Sequence, residues 1–139
     1  MGMKARMSAG LDRGKLELYL PSAETAIGQA RAAVDRLEAL DEHPEARFAV
    51  RLLVSELFTN AVKYGRRHDN ARVRFAVDVG DSRVRVEVAD RGRGFVADHI
   101  AMPGPEGESG RGLAFLDALA SRWGVIRNGE SCVWFEMDL

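Results

Sequence analysis

The segment from Val84 to Phe95, VRVEVADRGRGF, joins an alternating strand to a turn that contains two glycines. Its valines alternate with charged residues, which is typical of a strand with one buried face. Asp90 ends the strand, and Gly92 and Gly94 follow it in the spacing D-x-G-x-G. A carboxylate at this point can accept hydrogen bonds from an exocyclic amine, and the glycines allow the backbone to approach a flat ring closely. The pattern alone also fits an ordinary turn, so its meaning depends on the segments around it.

The sequence before this segment predicts a hairpin and a long helix. Val73 to Val79 alternates in the same way and is separated from Val84 by a Gly-Asp-Ser turn, which indicates an antiparallel pair. Farther upstream, the stretch from Pro44 to Gly65 has helical periodicity, with proline in the first turn and glycine at the end. Its apolar side chains form one complete stripe, which consists of Val50, Leu53, Val54, Leu57, Phe58 and Ala61.

The remaining segments complete the predicted domain. Leu16 to Leu20 alternates as a first strand, and we expect a helix from Ser22, its N-cap, to about Leu40. After the central hairpin come a long loop from Val96 to Ser109, a helix from Gly112 to Ser121, and a closing hairpin made of Val125–Ile126, the turn Asn128-Gly129 and Cys132–Met137. This order predicts an α+β fold, a two-layer α/β sandwich with a mixed, mostly antiparallel sheet of about five strands covered on one face by three helices.

The composition indicates one globular domain without a strong charge bias. The chain has 139 residues, of which 46% are hydrophobic and 29% are charged, and its net charge is −1. We expect a flexible leader over residues 1–14, with Met1, Met3 and Met7 as alternative starts, and one domain over residues 15–139. The charge gives no basic footprint for nucleic acid, and no apolar run approaches the length of a membrane span. A single cysteine excludes an internal disulfide and fits a cytoplasmic protein.

Two polar residues on the flank of the long predicted helix are suited to phosphate chemistry. Glu56 and Asn60 are one turn apart and share a face. An asparagine oxygen is a good ligand for Mg²⁺, which also binds phosphates, and a carboxylate one turn away can take a proton from an attacking hydroxyl or water. The alternative is a solvated glutamate with a surface asparagine. Lys63, on the same helical side, either reaches phosphate or is simply solvated.

A second glycine-containing segment, Gly110-Arg111-Gly112, precedes the short predicted helix. Backbone N–H groups at a helix start attract phosphate, and Arg111 adds positive charge. The residues before it, Pro103 to Ser109, are suited to a lid that closes over a bound nucleotide. The alternative is a flexible loop that ends at a helix.

Three segments together resemble a known family. Ser55 to Val62, SELFTNAV, resembles the asparagine box of the GHKL (Bergerat-fold) ATPases. Asp90 to Gly94 resembles their first glycine box, and Gly110 to Leu113 resembles their second. The ending, Trp123 to Met137, resembles the stand-alone bacterial members that are related to anti-sigma factor serine kinases. The resemblance extends over nearly all of the chain from Leu16 onward.

The resemblance implies a role for each matching residue. Asn60 is expected to bind Mg²⁺ and ATP phosphate, Glu56 to act as the general base, and Asp90 to recognise the adenine amine. The box glycines, which are Gly92, Gly94, Gly110 and Gly112, are expected to shape the pocket and its lid. The family often has threonine near adenine where Cys132 aligns here, and the adjacent Ser131 is a candidate substitute.

The resemblance also implies partners. The kinase members phosphorylate a serine on a small anti-anti-sigma protein of the STAS type and hold a sigma factor inactive. The expected function is therefore that of an ATP-dependent serine/threonine kinase and anti-sigma-type regulator, with a homodimer left open. A module that sequesters a partner and uses ATP only as a conformational ligand, or a simple ATPase, are the alternatives.

Overall fold

The computed structural model describes residues 13–64, 72–90, 108–127 and 131–139, with side chains at 13–60, 72–90, 114–126 and 132–139. The described strands form one sheet in the order β1-β2-β3-β5-β4, and every neighbouring pair is antiparallel. The strands are β1 (Lys15–Pro21), β2 (Arg72–Val79), β3 (Arg83–Asp90), β4 (Arg122–Arg127) and β5 (Ser131–Asp138). The predicted α+β sandwich is confirmed, although the sheet is antiparallel throughout these strands and not mixed.

Three helices lie on one face of this sheet. They are α1 (Thr25–Asp35), α2 (Pro44–Tyr64) and α3 (Glu108–Leu119), with a 3-10 turn at Glu38–Leu40 between the first two. The predicted apolar stripe of α2 is confirmed, because its described members are all at most 1% exposed. The core between the layers also takes alternate residues of the strands; its largest fully buried side chains are Phe58, Phe75, Phe135, Leu40, Leu53, Leu57 and Leu116.

The first helix is shorter than its sequence pattern predicts. It begins at Thr25 and ends at Asp35, whereas we expected a helix from Ser22 to about Leu40. Leu37 has an extended backbone (φ −77°, ψ 103°), which interrupts the helix. Its carbonyl accepts a hydrogen bond from the Arg47 guanidinium, and its side chain is buried. A contact with α2 therefore fixes the break, and the apolar periodicity of α1 alone cannot predict such a contact.

The third helix, in contrast, begins earlier than predicted. It starts at Glu108, so residues 110–112 lie within its first turns and not before them. Residues 96–107 of the predicted loop lie outside the described residues. The same is true of the turn predicted in the closing hairpin and of residues 1–12 of the predicted leader. Arg13 and Gly14, placed in the leader by sequence, are tied to the domain: the Gly14 carbonyl accepts a 2.7 Å hydrogen bond from the amide of Val79.

The sheet face away from the helices carries charged side chains in an ordered ladder. Its centre is Glu136 of β5. The Glu136 carboxylate forms ion pairs with the guanidinium groups of Arg83, Arg85 and Arg122, with N···O distances of 3.2, 3.1 and 2.9 Å. Trp134 lies beside this group, with the Arg85 guanidinium 4.5 Å from its ring centroid. None of the helices in the described part of the chain is both long enough and apolar enough to cross a membrane.

Candidate functional site

Two contacts fix the direction of α2 over the sheet. Pro44, at its start, lines a groove together with Met137 at the end of β5. Farther along, the ring of Phe58 packs edge-on against Phe75 of β2, with centroids 5.7 Å apart and an interplanar angle of 89°. Phe75 lies opposite Val88 of β3, close to the end of that strand. The helix therefore runs toward the end of the sheet where β3 terminates, and it carries its polar flank there.

Asn60 lies just beyond Phe58 on this part of α2. Its side chain is only 6% exposed, and its Nδ2 atom has no hydrogen-bond partner among the described residues. An unpaired buried polar group costs about 1–3 kcal/mol, and a bound ligand is one way to satisfy such an atom. The carboxamide offers both a carbonyl oxygen and an amide nitrogen. The oxygen is the type of ligand that Mg²⁺ prefers.

Glu56 lies one turn before Asn60 on the same face of α2. Its side chain is half-buried and makes no hydrogen bond or ion pair with another described residue. A carboxylate is one of the groups that serve as general bases in enzymes. The structure therefore keeps together the two residues that the sequence paired.

Asp90 is the last residue of β3 and is 4% exposed. It has the same alternation as Val84, Val86 and Val88, which are fully buried against the helices. A buried carboxylate is costly unless hydrogen-bond donors satisfy it. Its position on the helix side of the sheet, at the end toward which α2 runs, fits an acceptor for a ligand between the two layers.

The register of β5 distinguishes the two residues considered for the second adenine contact. Ser131 is paired with Asp90, whereas Cys132 is paired with Ala89. Cys132 is buried, but it alternates with Trp134 on the face away from the helices, and it does not belong to the core cluster between the layers. Position 131 has the alternation of the core residue Val133. Position 131 is thus opposite Asp90 and has the parity of Val133, which alternation counted back from Val133 also gives from the sequence.

The remaining predicted site residues are placed only by the backbone, or lie outside the described residues. Lys63 is in the last turn of α2, and residues 110–112 are in the first turns of α3. The end of α3 is followed by Ser121, whose amide donates a hydrogen bond to the carbonyl of Glu136. The chain then enters β4, which begins at the end of the sheet opposite to Asp90. The first turns of α3 therefore lie toward the Asp90 end, where their N–H groups suit an anion. Gly92 and Gly94 lie outside the described residues.

The chain matches the histidine kinase-like ATPase domain over residues 20–137. Over 89 residues it is 35% identical to a protein of Pasteuria penetrans named anti-sigma F factor, and this match covers 62% of the chain and 59% of that protein. Over 32 residues it is 62% identical to an uncharacterised protein of Streptomyces coelicolor, covering 21% of the chain and 30% of that protein. The matched parts are thus less than two thirds of either relative.

The family match covers most of the chain. This chain belongs to the histidine kinase-like ATPase domain family, which confirms the resemblance to the GHKL ATPases. Membership of an ATPase-domain family implies ATP binding. Among the described residues, the buried polar or charged ones are Asn60 and Asp90.

Proposed function

We propose that this chain is an ATP-dependent regulator of the anti-sigma-factor type, which phosphorylates a serine or threonine of a small STAS-type anti-anti-sigma protein and sequesters a sigma factor. Its similarity to a protein named anti-sigma F factor supports this proposal. The observation that carries it is the buried carboxamide of Asn60, with Nδ2 unpaired among the described residues, one turn after Glu56.

ATP binding is divided among three parts of the chain in this proposal. The Asp90 carboxylate accepts the exocyclic amine of adenine, and Gly92 and Gly94 allow the backbone to approach the ring. The first turn of α3 binds phosphate through its free backbone N–H groups, that of Gly110 among them, and through the charge of Arg111. Lys63 follows Asn60 on α2 and adds a further cation near the phosphates.

Mg²⁺ fits the oxygen-donor chemistry of Asn60, because this ion takes one or two protein oxygens and otherwise binds phosphate and water. When bound, it neutralises phosphate charge during phosphoryl transfer. In this proposal, Asn60 is the residue of this chain that would hold the ion.

Glu56 supplies the proton acceptor for the transfer itself. The serine hydroxyl of the partner loses its proton to the Glu56 carboxylate, and its oxygen forms a bond to the γ-phosphorus of ATP. The bond between that phosphorus and the β,γ-bridging oxygen breaks, and ADP leaves with the electron pair. Removal of a general base typically reduces a rate by about 10²–10⁴-fold, whereas adenine and phosphate contacts lie on other residues.

The test is incubation of the purified chain with Mg²⁺, γ-labelled ATP and a STAS-type protein, with ATP affinity measured in parallel. Glu56→Gln should lose phosphate transfer, by roughly 10²-fold or more, and keep its ATP affinity. Glu24→Gln is the matched control, because Glu24 is an exposed glutamate that precedes α1. It should transfer phosphate at the parent rate.

The products separate the proposal from its alternatives. Phosphoserine or phosphothreonine on the partner supports the kinase, and free phosphate alone identifies a simple ATPase. Binding of a sigma factor that depends on ATP, with no phosphate transfer to any partner, identifies a sequestering module. Transfer at the parent level by Glu56→Gln contradicts the role of Glu56 as base.

A further inference from the structure

The start of α2 and the end of β5 enclose a groove of about 400 Å³. Ala46, Met137 and Leu139 contribute apolar lining and pack against the core, while Glu42 and Glu45 are exposed lining residues. The groove lies at the end of α2 opposite Asn60. Asn60 follows Pro44 by 16 residues on α2, which is about 24 Å along the helix axis, so the groove is separate from the proposed nucleotide site.

An exposed aromatic side chain lies beside the groove. Phe48 is 65% exposed, the highest value among the large hydrophobic side chains of the described residues. It follows the groove residues Pro44 and Glu45 by one helical turn and therefore lies on their side of α2. Covering a phenylalanine removes apolar area from water, which favours association. A partner that fills the groove gains this contact at the same time.

The charged lining of the groove is acidic. Glu42 and Glu45 make no ion pair with another described residue, and no lysine or arginine is among the groove-lining residues of the described chain. Glu45 complements the helix dipole in the first turn of α2, but Glu42 precedes the helix and is not explained in this way. Acidic groups at the mouth of an apolar groove favour a cationic occupant and repel phosphate groups of lipid or nucleic acid.

We propose that this groove docks a segment of a partner protein that presents lysine or arginine beside apolar side chains. The apolar side chains of the partner cover Phe48 and fill the groove beside Met137, and its cationic groups pair with Glu42 and Glu45. This docking surface is separate from the nucleotide pocket and does not depend on the proposed kinase activity.

Fluorescence anisotropy of the full chain with three labelled peptides tests the proposal. One peptide alternates lysine or arginine with leucine and phenylalanine, the second replaces the basic residues by glutamate, and the third replaces the apolar residues by serine. The first peptide should bind roughly tenfold or more tightly than the other two, a difference of about 1.4 kcal/mol. Its affinity should fall as salt increases, because exposed charges are screened.

Two substitutions and two matched controls locate the binding. Phe48→Ser and Glu42→Lys should each weaken binding of the basic apolar peptide roughly fivefold or more, about 1 kcal/mol. Tyr19→Ser removes another exposed aromatic, which is 58% exposed on β1, and Glu24→Lys makes the same charge change before α1; both should bind like the parent. Thermal unfolding and ATP affinity, measured on each variant, show that the fold and the nucleotide site are intact.

Three results would overturn the docking proposal. The first is equal binding of the three peptides, and the second is loss of binding in the controls to the same extent as in the groove variants. The third is a self-associated chain, observed by sedimentation equilibrium, that Phe48→Ser dissociates, because a second copy then covers the groove. Absence of ATP binding with the expected peptide binding contradicts the proposed function and leaves the docking surface supported.

Discussion

Asp90 of β3 and Ser131 of β5 are direct partners across the antiparallel ladder. Residues directly opposed in such a pair have Cβ atoms about 4.5–5.5 Å apart, within reach of one small ligand group. Cys132, which the family resemblance places near adenine as an expectation, is instead paired with Ala89 and alternates with Trp134 on the other face of the sheet. The strand register therefore places positions 131 and 132 on opposite faces of the sheet.

Ser131→Ala should weaken ATP binding, and Cys132→Ala should not. The loss of one hydrogen bond costs about 0.5–1.5 kcal/mol, which corresponds to a roughly two- to tenfold higher dissociation constant for ATP. Calorimetric titration of both variants with Mg-ATP measures the difference. An equal or larger loss in Cys132→Ala would show that the family threonine is replaced by the cysteine after all.

Asn60→Ala should remove the effect of Mg²⁺ on nucleotide affinity while the fold survives. The side chain is buried, but its Nδ2 atom has no partner among the described residues, so truncation breaks no hydrogen bond of that atom within them. Leu57→Ala is the contrasting variant, because truncation of a core leucine costs about 2–5 kcal/mol of unfolding free energy. ATP affinity is measured with and without Mg²⁺, together with thermal unfolding. A Mg²⁺ dependence in Asn60→Ala equal to that of the parent would contradict the metal role.

Glu136 should make folding stability depend on pH in the acid range. Hydrogen bonds from Arg122 first, and then from Arg85 and Arg83, lower the pKa of Glu136 from 4.5 to about 2, against the opposing effect of burial. A lowered pKa in the folded state means that this stabilisation is complete above about pH 4.5 and is lost as the pH falls through about 2.

The test is urea unfolding of Glu136→Gln and the parent between pH 7 and pH 2. The variant should be less stable by on the order of 1 kcal/mol at pH 7, and the difference should shrink as the pH falls below about 4.5. Glu42→Gln is the control, because Glu42 is exposed and has no ion pair among the described residues. A difference between parent and Glu136→Gln that does not change with pH would show that the carboxylate's ionisation is not responsible.

Gly124→Ala should destabilise the fold without an effect on ATP affinity. A Cβ atom at this position of β4 would lie 2.8 Å from Nε1 of Trp134, which lies directly opposite in β5. Trp134 is also in contact with the Arg85 guanidinium, so its ring does not move freely. Such overpacking typically costs about 1–3 kcal/mol. Gly28→Ala is the comparison, because a Cβ atom there meets nothing within 4 Å, and an equal loss in both variants would contradict the packing argument.

The parts of the fold that the sequence predicts are those governed by local periodicity. The stripe that includes Leu53 and Leu57 fixes both the existence and the inner face of α2, and the valine alternation in Val84–Val88 fixes β3. The end of α1 was not predictable in this way, because Arg47, which is distant along the chain, holds the carbonyl of Leu37.

The site shows the same division between local and tertiary information. Glu56 and Asn60 are paired by helical spacing, which the sequence contains. The burial of Asn60 and the pairing of Asp90 with position 131 depend on how α2 crosses the sheet and how β5 inserts between β3 and β4. Alternation counted back from Val133 gives position 131, and not Cys132, the parity of the core residues.

The most direct test of the central claim is calorimetric titration of the parent and Asp90→Asn with ATP and with GTP in the presence of Mg²⁺. An adenine site based on the buried Asp90 carboxylate predicts that the parent binds ATP much more tightly than GTP. Asp90→Asn should bind ATP roughly tenfold more weakly, because a mismatched buried hydrogen bond costs about 1–3 kcal/mol. Asp81→Asn, an exposed aspartate in the β2–β3 turn, should bind ATP like the parent. Equal affinity of the parent for ATP and GTP, or unchanged ATP affinity in Asp90→Asn, would contradict the assignment of this site.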